Sequence, residues 1–109
     1  MPVHLPKPIE RFMSSENARD IDALAACFAP DGIVRDEGRT REGLEDIVAW
    51  RRETAEKYQH SFEPLAVMER DGKTIVATKV TGSFPGSPIT LDFIFRLENG
   101  KIASLDIQS

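Results

Sequence analysis

Two polar side chains in this sequence could move protons. Asp36 ends a short alternating β-branched segment, and strand periodicity puts it on the same side as Val34. A carboxylate in an apolar cavity suits general acid or base work, because desolvation disfavours its charged form. His60 begins the first long β segment and could reach Asp36 across such a cavity, giving a His–Asp acid/base pair. Asp36 and His60 are therefore the candidate catalytic residues.

Each of these two residues also has an ordinary structural interpretation. Asp36 lies in a charge-dense turn. There Arg35, Arg39 or Arg41 could hold the carboxylate in a plain ion pair. His60 lies between a predicted helix and a predicted strand, where a histidine can equally cap the helix or face solvent. The sequence leaves both alternatives open for both residues.

Metal and nucleotide chemistry have no support in the sequence. His4 and His60 are far apart, and neither has a Cys or a carboxylate at ligand spacing. Cys27 falls on the apolar side of a predicted helix without an activating cation, so we expect a buried small hydrophobe. Residues 72–74 are similar to the end of a phosphate-binding loop, but they lie in a predicted hairpin. We expect no metal and no cofactor.

Apolar side chains at regular spacing supply the candidate wall of a cavity. Ile47, Trp50 and Tyr58 form one stripe on a predicted helix, and Phe93 and Phe95 share one face of a predicted strand. Such side chains either line a pocket or only pack in the core, and both alternatives stay open. The predicted ligand-binding residues are Phe12, Val34, Ile47, Trp50, Tyr58, Phe93, Phe95 and Leu105.

The positions of these residues depend on a predicted order of helices and strands. The apolar spacing predicts helices over 9–17, 21–28 and 42–58 and strands over 33–36, 61–70, 73–84, 89–97 and 101–107. Residues 30–32 are a predicted turn, and Asp-Gly at 71–72 and Asn-Gly at 99–100 favour tight hairpins. The order ααβαββββ predicts an α+β fold, with three helices covering one face of a mainly antiparallel sheet of four to five strands.

Two details of these elements concern individual side chains. Arg51 is predicted on the exposed side of the long helix, together with the other charged residues there. Ile94 and Val80 are predicted on the otherwise polar face of the sheet. Apolar side chains on such a face indicate a surface for a partner.

Composition excludes several function classes. A chain of 109 residues fits a single domain, here residues 1–109, and its longest apolar run (24–29) is far shorter than a membrane span. The net charge of -4 without a basic stripe argues against a nucleic-acid partner. One cysteine cannot form an internal disulfide, and the first residues lack the pattern of a signal peptide. We expect a cytoplasmic protein without a membrane partner.

Four strings, in this order and spacing, resemble the nuclear transport factor 2-like superfamily, particularly its SnoaL-like and ketosteroid-isomerase-like branch. They are NARDIDAL at 17–24, CFAPDGIV at 27–34, GLEDI at 43–47 and NGKIA at 99–103. The resemblance implies a cone-shaped, cystatin-like fold with a curved sheet and an apolar pocket, and a homodimer formed through the sheet. It also implies a general-base role for Asp36, because the isomerase branch carries its base at the matching position.

The sequence departs from the isomerase pattern at the oxyanion donors. Phe12 occupies the position of the tyrosine donor, and Phe93 occupies that of the protonated acid. Asp92 is adjacent to Phe93 but points to the opposite face of the strand. Because each lost donor typically costs about 100-fold in rate, steroid isomerisation is not expected.

The sequence therefore predicts a protein that binds an apolar or amphipathic small molecule in a pocket. Cofactor-free acid/base chemistry through Asp36, of an isomerase, dehydratase or cyclase type, is one hypothesis within this prediction. The alternative is a non-catalytic module that dimerises or binds a partner through the exposed sheet face. The sequence does not decide whether the protein is an enzyme.

Overall fold

The computed structural model describes residues 4–36, 38–58 and 60–108, and for residues 55–58 the backbone alone. The described chain forms three helices and six strands. In chain order they are α1 (Lys7–Ala18), α2 (Ile21–Ala25), β1 (Phe28–Asp36), β2 (Arg39–Glu42), α3 (Gly43–Tyr58), β3 (Ser61–Arg70), β4 (Lys73–Thr81), β5 (Ile89–Glu98) and β6 (Lys101–Gln108).

The strands form one sheet in the order β2-β1-β6-β5-β4-β3. β1 lies parallel to β6, and every other neighbouring pair is antiparallel. The two predicted hairpins are present. Asp71 and Asn99 have φ angles of 53° and 51°, and the glycine after each also has a positive φ angle. These angles suit the two central positions of a tight hairpin turn. The predicted α+β class, with helices packed on a mainly antiparallel sheet, is confirmed.

The sheet has one strand more than the upper limit of the prediction. Residues Arg39–Glu42 pair with β1 as an edge strand, so the order is ααββαββββ. All four residues are polar and three are exposed, so no apolar alternation marks this strand in the sequence.

The predicted boundary between α2 and β1 was wrong. Phe28 is the buried first residue of β1 rather than part of the helix, and residues 30–32 belong to β1 rather than to a turn. The pairing with β6 shifts register between Phe28 and Ile33, which lets the strand accommodate its proline. Gly32 suits this tight place, because a Cβ would lie 3.1 Å from the Ala29 carbonyl oxygen.

Phe12 lies at the centre of the core between the helices and the sheet. Its ring centroid is 5.9 Å from that of Phe28, 6.1 Å from Phe62, and 5.6 Å from Phe95, and it has no exposed surface. Helix α1, the start of β1 and two other strands, β3 and β5, therefore meet in one aromatic cluster, since Phe93 also lies 6.4 Å from Phe12.

The prediction that Arg51 is exposed was wrong. Its side chain is only 2% exposed and donates a hydrogen bond to Glu16, which is 4% exposed. The guanidinium carbon lies 4.8 Å from the Trp50 ring centroid and 5.8 Å from that of Phe62, within the range of cation–π attraction. Burial raises the pKa of Glu16 and lowers that of Arg51, and each partner opposes the shift of the other.

The face assigned to Val80 was also wrong. Val80 is buried, and so are Thr74, Val76 and Thr78 at the alternate positions before it. The two threonines make the core-facing side of β4 resemble a polar surface in the sequence. Ile94 does lie on the opposite face from the buried Phe93 and Phe95, as predicted.

Breaking the buried ion pair should cost far more stability than breaking an exposed one. Glu16→Leu leaves the Arg51 charge buried and unpaired, so we expect a loss of about 3–5 kcal/mol in the free energy of unfolding. Adding Arg51→Met to this variant removes the unpaired charge and should recover much of the loss. Urea denaturation of the two single variants and the double variant measures this coupling.

The matched control is Glu53→Leu, which removes an exposed ion pair. The Glu53 side chain is 60% exposed and pairs with Arg41 at 2.9 Å, so its loss should cost less than about 1 kcal/mol. Equal losses for Glu16→Leu and Glu53→Leu would contradict a special role of the buried pair.

Candidate functional site

A cavity of about 220 Å³ lies between α3 and the sheet. Its wall is mostly apolar, with a few polar groups converging on it, which is typical of small-molecule sites. The lining residues are Asp36, Trp50, Arg51, His60, Phe62, Val80, Phe84, Ile89, Leu91, Phe93 and Ile107.

Asp36 reaches this cavity from the end of β1, where it is half-buried. Its Oδ2 accepts a hydrogen bond of 3.1 Å from the indole Nε1 of Trp50 on α3. Two of the arginines that could have held Asp36 in an ion pair bind other carboxylates. Arg35 pairs with Asp106 at 3.1 Å, and Arg41 pairs with Glu53. The tryptophan therefore orients the Asp36 carboxylate at the cavity wall.

Asn17 fixes the strand start that carries His60. Its side-chain amide donates to the Phe62 carbonyl oxygen at 2.9 Å and accepts from the Phe62 N–H at 2.8 Å. These two bonds attach the end of α1 to the start of β3. The His60 ring then lies 5.6 Å from the Phe62 ring and 6.0 Å from the Phe84 ring.

The environment of His60 lowers its pKa to about 4. Desolvation by burial is the largest cause, and the positive charges of Arg51 and Arg19 add to it. His60 is therefore neutral near pH 7, where an imidazole can donate one hydrogen bond and accept another. A permanently charged imidazolium does not fit this environment.

Polar groups and aromatic rings alternate along one wall of the cavity. Trp50 binds Asp36 and lies against Arg51, while Phe62 lies between Arg51 and His60. The aromatic rings limit how much water reaches the polar groups and hold them in fixed positions. Such an arrangement can bind a ring-shaped molecule and form hydrogen bonds with its polar substituents.

The predicted site residues fall into three groups. Asp36, His60, Trp50 and Phe93 line the cavity together. The second group is buried in the core and is not among the cavity-lining residues; it consists of Phe12, Val34, Ile47, Phe95 and Leu105. The side chain of Tyr58 lies outside the described residues.

Arg51 and Phe62 line the cavity but were not among the predicted site residues. Alternation along β3 could have indicated Phe62, since it is the only aromatic residue of that segment. For Arg51 the helical period predicted an exposed side chain. Its burial depends on the ion pair with Glu16.

Other groups with possible chemistry lie away from the cavity or are absent from the described part of the chain. Cys27 is buried as predicted, its Sγ lies 3.4 Å from the Ala23 carbonyl oxygen, and burial raises its pKa. Among the residues described, no group of three or more His, Cys, Asp or Glu side chains could hold a metal ion. Within the same residues, no helix is long and apolar enough to cross a membrane.

Comparison with protein families places this chain in a known group. The family model of the SnoaL-like domain matches residues 9–105. The chain belongs to the SnoaL-like domain family. This result confirms the resemblance to the nuclear transport factor 2-like superfamily that the sequence strings indicated. A comparison with curated protein sequences gave no match.

Solved structures share the fold of this SnoaL-like domain over nearly its whole length. A "putative polyketide cyclase" from Sinorhizobium meliloti is 38% identical, with a TM-score of 0.92 over 95% of each chain. A protein with a ketosteroid isomerase-like fold from Catenulispora acidiphila, solved in complex with trimethylamine, is 18% identical, with a TM-score of 0.84 over 97% of this chain and 87% of that one. A computationally designed 17-OHP binder is 14% identical, with a TM-score of 0.80 over 94% and 87%.

Acid should destabilise this SnoaL-like domain partly through His60. The pKa of His60 is lower in the folded chain (about 4) than its ordinary value of 6.5, so the unfolded chain binds this proton first as the pH falls. The contribution is fully present above pH 6.5 and is lost as the pH falls toward 4. His60→Gln should therefore lose less unfolding free energy than the wild type between about pH 7 and about pH 4.5.

Urea denaturation at these two pH values measures the difference. His4→Gln is the matched control, because His4 is exposed, and it should keep the wild-type pH dependence. A wild-type pH dependence in the His60→Gln variant would show that His60 does not carry this effect.

Proposed function

We propose that the protein binds a small amphipathic ring compound in its cavity and that Asp36 transfers a proton on that compound without a metal or nucleotide cofactor. The observation that carries the proposal is the Asp36 carboxylate, held at 3.1 Å by the Trp50 indole at the wall of an aromatic cavity. A carboxylate in such surroundings is oriented and partly desolvated, which is what general acid/base catalysis requires.

The size of the cavity favours a ligand of one or two fused rings. A cavity of about 150 Å³ can hold a benzene-sized molecule, and this one has about 220 Å³. Its lining offers apolar and aromatic surface to the rings and polar groups to a hydroxyl or carbonyl substituent. A hydroxylated or carbonyl-bearing cyclic compound matches both requirements.

The comparisons support a small-molecule role for this family. The Sinorhizobium meliloti protein carries the name "putative polyketide cyclase". The designed protein of the same fold binds 17-OHP, and the Catenulispora acidiphila protein was solved with trimethylamine. Proteins of this fold therefore include ones that bind ligands of different shape and charge.

The proposed step is the transfer of one proton by Asp36. The carboxylate takes a proton from a carbon beside the ligand carbonyl, and the electrons of the C–H bond move into the carbonyl to form an enolate. Where a C=C bond follows that carbon, returning the proton to the far carbon of the conjugated enolate shifts the double bond and gives an isomerised product without an external reactant. The Trp50 N–H holds in place the charged carboxylate that takes the proton.

Proton exchange on a simple bicyclic ketone tests this role. We expect the wild type to accelerate deuterium incorporation at the carbons beside the carbonyl of β-tetralone in D₂O, as followed by proton NMR. Asp36→Asn should reduce the accelerated rate by about 100-fold or more, because the amide cannot accept the proton. Asp46→Asn, at an exposed position of α3, is the matched control and should keep the wild-type rate.

Binding is measured separately from exchange. Trp50 is the only tryptophan of the chain and lines the cavity, so quenching of its fluorescence reports occupancy. Binding of β-tetralone without accelerated exchange, or equal exchange by Asp36→Asn, would reduce the proposal to a binding role. The absence of quenching by ring compounds would contradict the cavity as the binding site.

The outer face of the sheet supports the second candidate function, pairing with a second copy of this chain. The strand register brings Met68, Ile75 and Ile94 side by side across β3, β4 and β5. Met68 is 49% exposed, and the row continues into the ion pair of Arg35 with Asp106. An apolar row with a charged border suits a two-fold interface between copies, in which each residue meets the same surface of the other copy.

A charge introduced into this row should prevent such pairing. We expect the wild type to sediment as a dimer at micromolar concentration and Ile94→Lys to sediment as a monomer with unchanged circular dichroism. Glu45→Lys, exposed on α3 and away from the sheet, should remain dimeric. A monomeric wild type in sedimentation velocity would exclude the interface.

A further inference from the structure

Arg51 is shared between the main cavity and a smaller one behind it. The main cavity has Arg51 in its wall but not Glu16, whereas both residues line the smaller cavity of about 30 Å³. Glu16 therefore binds the guanidinium from the side away from the main cavity. A guanidinium carries five N–H donors, and the hydrogen bond to Glu16 comes from Nη2.

The surroundings of Arg51 hold its charge in a fixed position. Glu16 and the rings of Trp50 and Phe62 contact it, so the side chain has little freedom to turn toward solvent. Asp36 is close enough to favour the charged form of Arg51, while Arg19 adds a second positive charge nearby. The described cavity wall thus has a negative group at Asp36 and a positive group at Arg51.

His60 in its neutral form adds no second positive charge to that of Arg51 in the cavity wall. It lines the same cavity beyond Phe62 and is neutral near pH 7. Arg51 is therefore the cationic side chain of the described cavity wall. Donors fixed before a ligand arrives bind a negative oxygen more strongly than donors that must first reorganise.

We propose that the ligand presents a negatively charged oxygen, as a carboxylate, phenolate or enolate, to Arg51, and a hydrogen-bond donor or acidic C–H to Asp36. This inference rests on the proposed function and specifies the class of compound for the same cavity. Glu16 is a positioning residue: it holds the guanidinium by its far edge and does not line the main cavity.

The inference accounts for the absence of the expected oxyanion donors at Phe12 and Phe93. Phe12 is buried in the core, and Phe93 offers only its ring to the cavity. A buried guanidinium can bind the oxygen of an enolate in their place, because it carries a full charge in surroundings of low polarity.

Three probes that share one ring system and differ in charge test the inference. They are hydroxynaphthoate, its neutral amide hydroxynaphthamide, and the cation aminomethylnaphthol. We expect the wild type to bind hydroxynaphthoate about 10-fold or more tighter than the amide at fixed ionic strength, because a charge-assisted hydrogen bond is stronger than a neutral one. Isothermal titration calorimetry at about pH 7 measures the three affinities.

The variant that removes the charge is the double variant Glu16→Leu with Arg51→Met, which leaves no buried charge unpaired. It should bind the amide within about 3-fold of the wild type and lose the preference for hydroxynaphthoate. Arg51→Lys keeps the charge and should keep part of the preference. Arg52→Met is the matched control, exposed on the same helix, and should keep all of it.

Each outcome of the titrations bears on the inference or on the proposed binding function. Tight binding of the amide with no preference for hydroxynaphthoate would overturn the inference and leave the proposed binding function intact. A preference for the cation would overturn it in favour of Asp36 as the dominant charge. If none of the probes binds the wild type, the inference and the proposed cavity function both fail. A preference that survives in the double variant would assign the recognition to another residue.

Discussion

The buried ion pair of Glu16 with Arg51 is the interaction on which the site depends. It joins α1 to α3 at a place where both helices face the interior, and both side chains are almost fully buried. Removing two charges from water is costly, and it is tolerated because each charge finds the other together with aromatic surface. The same pair fixes the wall of the cavity from behind, so the stability of the fold and the polarity of the site have a common origin.

The cavity combines two kinds of constraint. Two of its aromatic side chains, Phe62 and Phe93, belong to the cluster that packs around Phe12, so part of the shape of the site follows from the packing of the core. Its polar groups are each held by a specific contact: Asp36 by the Trp50 indole, and Arg51 by Glu16. Groups fixed in this way need no reorganisation when a ligand binds, which is the property expected of a site for binding or acid/base chemistry.

Much of the fold could be predicted because its signals are local. Alternating apolar residues marked β3 to β6, and the Asp71 and Asn99 turns marked two hairpins. The polar edge strand β2 lacks such a signal, since only its pairing with β1 makes it a strand. The irregular start of β1 could not be predicted either, because a proline and a glycine within a strand resemble a turn until the bulge is known.

By itself the sequence determined the fold family and the α+β class, and it indicated two polar residues that line the cavity, Asp36 and His60. Only the tertiary structure decided how deeply each side chain is buried and whether it reaches the cavity. Phe93 and Phe95 share one face of a strand, yet Phe93 lines the cavity and Phe95 is enclosed in the core. Arg51 lies at a helical position that is typical of exposed residues. It is nevertheless buried, because it pairs with Glu16, which is 35 residues away in the sequence. Periodicity reports local backbone geometry, whereas burial of a charge depends on which distant side chain compensates it.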